Sequence, residues 1–370
     1  MTGSNRRSWL IALCGFVAIE GVGFQMRGAL IPELRAEFGV SEALLGLVAP
    51  AGTVGFVLVI LLVGVFAGRI DFRRTMLAGA GIVAACMFLL GLSPTYLVFL
   101  GALFLRGTST ALVRGPDRVV LGHLFPDLRG RVFNIYAMAW AIGATLGPVF
   151  VVVALALGNW RFAYLALAAG LVPVVVAVYR LDLDVAGEER ALTMDGLGTV
   201  LREPRVVGPA VALIFSGGLE GGLFTWLPTY AGESLPQATA SLTLSTLIVG
   251  YIPGRLLYGA YAERVGYLRL VTLSATGAVP LVYLLTVVEG VWLFPVVGTL
   301  GLVISGVFPT LAAAAIDAVP DYSGPVNALT IATSYAGLSV VPAVMGVVAA
   351  RAGIGVAMGL LVGVAAGAVV

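Results

Sequence analysis

The sequence predicts an all-α polytopic membrane protein, with about twelve transmembrane helices in two pseudo-symmetric six-helix bundles. Three observations carry that expectation: composition, the spacing of apolar segments, and an internal repeat. Hydrophobic residues make up 60% of the chain and charged residues 11%, and mean hydropathy is +1.05. A soluble domain carries about 25% charged residues. A chain of 370 residues can bury a large core, but so much apolar surface with so thin a polar coat belongs in lipid.

A helix needs about 20 apolar residues to cross about 30 Å of hydrocarbon. By that ruler the first six spans run near 8–32, 43–68, 73–93, 95–122, 131–157 and 160–180. The second six run near 206–230, 236–262, 267–288, 291–316, 325–350 and 353–370. Only the polar stretch between the two sets is a connector of any length. The expected domains are therefore a bundle over 1–180, a linker over 181–205 and a second bundle over 206–370. Arg6 and Arg7 precede an apolar run, as in a signal peptide. The run passes Phe24 without a small-residue cleavage site and a polar domain after it, so it reads as the first span. The last span is still open at Val370, which allows for a short tail beyond it.

Orientation follows from arginine, because cytoplasmic loops retain positive charge. With the N-terminus inside, thirteen arginines fall on cytoplasmic segments and three (Arg35, Arg161 and Arg351) on outer loops. Both termini and the linker are thus expected in the cytoplasm, and the protein in the cell membrane as a multi-pass chain.

The halves also resemble each other. PDLRGRV at 126–132 returns as PDYSGPV at 320–326, an offset of 194. GVFAGRIDFRR at 64–74 returns as GAYAERVGYLR at 259–269, an offset of 195. AIEGVGF at 18–24 returns as GLEGGLF at 218–224, an offset of 200, which pairs Glu20 with Glu220. Duplicated six-span halves are the architecture of many secondary transporters, with the solute site near the midplane.

Other classes find little support. A net charge of +2 and the absence of a long basic tract argue against nucleic acid. One histidine, His123, excludes a histidine-built metal centre, and Cys14 and Cys86 sit in apolar segments. The chain has no lysine and hence no phosphate-binding P-loop. No nucleophile–base set suggests an enzyme. The expectation is a non-enzymatic protein with no cofactor and no metal.

These residues resemble the major facilitator superfamily, and the resemblance covers essentially the whole chain. Its signature in the loop after the second span is met by Gly64, Arg69, Arg73 and Arg74, with Gly68 in place of the usual acid and Asp71 nearby. The copy after the eighth span, with Gly259, Glu263, Arg264 and Gly266, is closer. Arg106 in LFLRGTSTALVRG resembles the family's fourth-span arginine. GATLGP retains Gly143, Gly147 and Pro148 of its fifth-span motif. GLEGGLFTWLPTY and GVFPTLAAAAID are similar to segments of the fucose-permease-like sugar carriers. The resemblance implies a monomeric carrier whose first, fourth, seventh and tenth spans line a central cavity.

A charge at mid-membrane costs about 2.5–3.5 kcal/mol on insertion scales. Helical rise places Glu20, Arg106 and Glu220 near that depth, so they are expected to face water or one another. Read functionally, they line a polar cavity where a carboxylate exchanges protons and Arg106 holds either that carboxylate or a solute. Read structurally, Glu20 pairs permanently with an arginine and fixes packing. Gln25, Asn134, Tyr136, Trp140 and Trp226 are candidate solute contacts, with Trp226 favoured for stacking. Arg27, near the outer end of its span, is expected to snorkel. Arg69, Asp71, Arg73, Arg74, Arg114, Asp117 and Arg118, with Arg255, Glu263 and Arg264 as the second copy, are expected to form ion-pair latches on the inner side. The expected function is alternating-access transport of a small sugar- or acid-like solute, with protons as coupling ion. Proton-antiport efflux of amphipathic compounds is the alternative, and a non-transporting solute sensor a further one.

Overall fold

The computed structural model describes residues 3–40, 42–45, 47–183 and 193–369. Glu188, Glu189 and Arg190 of the expected linker lie outside them. The described residues form helices and no strand. In chain order these are α1 (Gly3–Ala29), α2 (Ile31–Phe38), α3 (Glu42–Leu45), α4 (Val48–Val65), α5 (Phe72–Leu92), α6 (Tyr96–Arg114), α7 (Asp117–Leu124), α8 (Arg129–Ala156) and α9 (Arg161–Arg180). There follow α10 (Met194–Arg202), α11 (Pro204–Ala231), α12 (Gln237–Val265), α13 (Tyr267–Leu285), α14 (Leu293–Ile304), α15 (Val307–Ala318), α16 (Ser323–Ala352) and α17 (Ile354–Gly367). Among the described residues nine helical runs are long and apolar enough to cross a membrane, and Pro50–Val65 and Ile354–Gly367 are shorter apolar helices. The all-α polytopic class is as expected.

Local chemistry sets the ends. Asp71 caps α5, its carboxylate accepting the Arg74 N–H at 3.0 Å. Thr193 caps α10 by accepting the Gly196 N–H at 3.1 Å. Gly39 closes α2 at φ 61°, a left-handed conformation that favours glycine.

Two details add to the expected layout. Residues 194–202 of the linker form α10. The fourth and tenth spans, Tyr96–Leu124 and Gly290–Ala318, each carry a break in the helix. The first breaks between α6 and α7 at Gly115–Pro116, where proline brings no N–H to the helical ladder. The second breaks between α14 and α15 at Ser305–Gly306, where a methyl group on Gly306 would strike the Tyr258 ring.

The chain divides into two compact units, Met1–Pro126 with Ala139–Leu192, and Asp127–Met138 with Thr193–Val370. The division cuts α8 after Met138. In the first unit α4 packs on α6, and α5 on α6 and α9. In the second, α12 packs on α14, and α13 on α14 and α17. The same pairings thus recur.

Close backbone approach sets the phase of the repeat. A methyl group on Gly107 would strike the Gly52 carbonyl, and one on Gly301 would strike that of Leu247, offsets of 194 and 195. Similarly, Gly21 meets the Trp140 carbonyl and Gly217 that of Ser334, offsets of 196 and 194. Such contacts let apolar helices gain dispersion energy where lipid offers no hydrophobic drive. They also correct the pairing of the glutamates. If Gly21 corresponds to Gly217, the mate of Glu20 is Ser216, and Glu220 lies one turn further along. Gly217 and Gly221 both face α16, so registers one turn apart look alike in sequence.

Candidate functional site

The first unit brings two of the expected residues together. Glu20 on α1 and Arg106 on α6 form an ion pair at 2.9 Å, and they are 6% and 4% exposed. The Thr110 hydroxyl, one turn beyond Arg106, donates to the same Glu20 Oε2 at 3.1 Å. Gly23 leaves room for the guanidinium, since a methyl group there would lie 3.2 Å from Arg106 Nη2. Desolvating two ions is expensive, and their attraction offsets it only when hydrogen bonds complete the pair. Completion is partial here. Glu20 Oε1 and Arg106 Nε are buried with no hydrogen-bond partner among the described residues.

Arg27 does not snorkel, contrary to expectation. It is buried, donates from Nε to the Phe24 carbonyl at 3.3 Å and lies 4.4 Å over the Phe24 ring. A cation on an aromatic face keeps part of its solvation in a dry place. Gln25 is half-buried beside Gly147. Trp140 meets Phe24 edge to face at 5.9 Å.

The second unit holds a different constellation. Half-buried Glu220 on α11 accepts the Tyr251 hydroxyl of α12 at 2.9 Å. Arg255, one turn after Tyr251, lies 4.9 Å over that ring. It donates from Nε to the Ser305 carbonyl at 3.0 Å and from Nη1 to the Ala137 carbonyl. Arg255 was expected in the inner latch beside Glu263 and Arg264. It is instead buried and engaged with Tyr251.

Around Ala137 the first turns of α8 are tied to the second unit. Arg129 pairs with Asp317, and the Arg131 N–H donates to Glu263 at 2.8 Å. Asn134 donates to Thr310 at 3.2 Å. Asn134 and Tyr136, candidate solute contacts by sequence, are fully buried. Trp226 is half-buried, with its indole N–H on the Pro342 carbonyl at 3.0 Å.

Of the charges at the other expected latch, Asp117 is fully buried, 3.0 Å from Arg114 and 3.5 Å from Arg118. Arg74 pairs with Asp71 at 3.3 Å, whereas Arg73 reaches Asp182 at 3.9 Å and the Tyr179 carbonyl. Arg69 is exposed. Arg264 lines a cavity of about 490 Å³ with Arg205 and Arg269.

Residues 12–342 match the family model of the Major Facilitator Superfamily. The chain belongs to that superfamily. This facilitator is 26% identical over 211 residues to "Uncharacterized MFS-type transporter YfkL" of Bacillus subtilis, a match covering 54% of the chain and 53% of the relative. It thus spans about half the length of that curated relative. Its fold is similar to that of the MFS transporter FucP in the outward conformation, with TM-score 0.83, 16% identity and 98% of each chain covered. It is also similar to a point variant of the E. coli fucose:proton symporter FucP, with TM-score 0.82, 17% identity and 97% and 96% coverage. The human organic anion transporter MFSD10 gives TM-score 0.78 at 16% identity, with 99% and 98% coverage. Membership fits a transporter fold rather than an enzyme.

Sequence reading missed Thr110, Tyr251 and the carbonyls of Ala137 and Ser305. The hydroxyls carried a signal: each lies four residues from its arginine, hence on the same helical face. The carbonyls carried none.

Proposed function

We propose that this facilitator is a proton-coupled carrier of a small sugar- or organic-acid-like solute, working by alternating access in the cell membrane. The observation that carries this reading is the buried Glu20–Arg106–Thr110 group with Glu20 Oε1 unpartnered. A structural ion pair gains by satisfying every lone pair. One that leaves a buried carboxylate oxygen unpartnered keeps a lone pair for a proton or a solute hydroxyl. With Glu20 ionised, Arg106 is held by it. With Glu20 neutral, Arg106 is released to an anionic or hydroxyl-bearing group of the solute. A proton on Glu20 then favours solute on Arg106, a positive coupling through one network of the kind symport requires. FucP, similar in fold, is a fucose:proton symporter, which supports this solute class. The thirteen-to-three distribution of arginines supports cytoplasmic termini.

The test is uptake of labelled sugars and organic acids into proteoliposomes, with and without an imposed pH gradient. Gradient-stimulated flux is expected, falling about tenfold or more in Glu20→Gln, the scale of one charge-assisted contact. Gradient stimulation undiminished in both Glu20→Gln and Glu220→Gln would refute the coupling role.

A further inference from the structure

We propose that Arg255 is a positioning residue that reports the charge of Glu220 to the first turns of α8, a role that rests on the carrier reading above. Four contacts make one continuous path: Glu220 to the Tyr251 hydroxyl, the Tyr251 ring to the Arg255 guanidinium, and that guanidinium to the carbonyls of Ser305 and Ala137. Ala137 lies one residue before Met138, where α8 leaves the second unit. The path therefore ends at the boundary of that unit.

Arg255 is 7% exposed, and the groups around its charge include two carbonyl dipoles, an aromatic face and the carboxylate bonded to that ring's hydroxyl. Carbonyl dipoles and a ring face stabilise a buried cation, and a nearby carboxylate adds to them. When Glu220 loses its charge, to a proton or to a cationic group, the Tyr251 bond weakens and Arg255 loses that part of its compensation. It then moves toward water and leaves the Ala137 carbonyl. The α8 segment loses a charge-assisted bond while keeping Arg129–Asp317, Arg131–Glu263 and Asn134–Thr310.

The elements packed on α11 bring few competing charges. By sequence α16 carries Tyr335 and Arg351, α15 carries Asp317, α17 carries none, and α10 carries Asp195 and Arg202 near the opposite end of α11. Beyond Arg255, α12 carries Tyr258, Tyr261, Glu263 and Arg264, about two turns or more past Tyr251. The path has no counterpart in the first unit. By the repeat offsets Glu220, Tyr251 and Arg255 correspond to Phe24, Phe56 and Ile60, all apolar.

The test places a cysteine at half-buried Ile135 on α8, in a Cys14→Ser/Cys86→Ala background, and follows its reaction with a water-soluble thiol reagent. Glu220→Gln, Tyr251→Phe and Arg255→Lys are each expected to speed labelling about tenfold, since a hydrogen bond to a charged group is of that order. Tyr251→Phe keeps the ring under Arg255, and Arg255→Lys keeps the charge without the two-carbonyl fork, so both remain close to the native packing. Glu220→Gln combined with Arg255→Lys is expected to be no faster than either alone. Labelling unchanged in Glu220→Gln but raised in Arg255→Lys would overturn the proposal, as would effects that multiply in the double variant. Loss of gradient-driven flux in Glu20→Gln is read separately, so failure of the carrier reading and failure of this path give different results.

Discussion

Arg106→Ala is expected to abolish solute flux and to lower thermal stability more than any other single truncation in the first unit. It removes the counter-ion of a carboxylate that is 6% exposed, and breaking a buried pair costs about 3–5 kcal/mol because the remaining charge is stranded. Thr110 would then face Glu20 with one hydrogen bond from a neutral donor. Neutralising both partners, in Glu20→Gln/Arg106→Gln, should restore most of the stability, since two amides of similar shape can bond each other without ionic desolvation. Flux should stay lost. Thermal unfolding of the purified variants in detergent, beside proteoliposome uptake, separates the two effects. Equal destabilisation in single and double variants would mean that the pair does not act as a charge pair.

The second large effect is expected at Gly143. A methyl group there would strike the Ala18 carbonyl of α1, so Gly143→Val forces α1 and α8 apart along the contact that sets the height of Glu20. Overpacking costs about 1–3 kcal/mol where side chains can yield. A backbone carbonyl yields less, so loss of monodisperse protein after mild heating is the expected outcome. Gly81→Ala on α5 is the control. Nothing lies within 4 Å of a methyl group there, and replacing a helical glycine should leave stability unchanged or slightly raised. Similar loss in both variants would mean that close approach of α1 and α8 contributes little.

Much of the fold was legible because lipid allows few solutions. Long apolar runs in water-free surroundings become helices, since each backbone group must find its partner within the segment. The Glu20–Arg106 meeting was legible in outline, because two opposite charges at similar depth on neighbouring spans have little else to bind. The pairing of Glu20 with Glu220 was misread, because Gly217 and Gly221 offer α16 the same face one turn apart. Only contacts across helices fix that register. Arg255 was misassigned for a related reason. Its neighbours Glu263 and Arg264 are close in sequence, whereas its actual contacts are a ring one turn back and carbonyls that have no sequence signature. The breaks at Gly115–Pro116 and Ser305–Gly306 were visible as residue types. Hydropathy, which averages over a window, passed across them.

Proton coupling as proposed requires Glu20 to exchange a proton from its buried place beside Arg106. Infrared difference spectroscopy of the protein in lipid, recorded as pH is changed across the range that drives flux, reads that event directly. The predicted result is a protonated-carboxyl band in the wild type with a component that is lost in Glu20→Gln and kept in Glu220→Gln. Identical spectra from the wild type and Glu20→Gln would contradict the account.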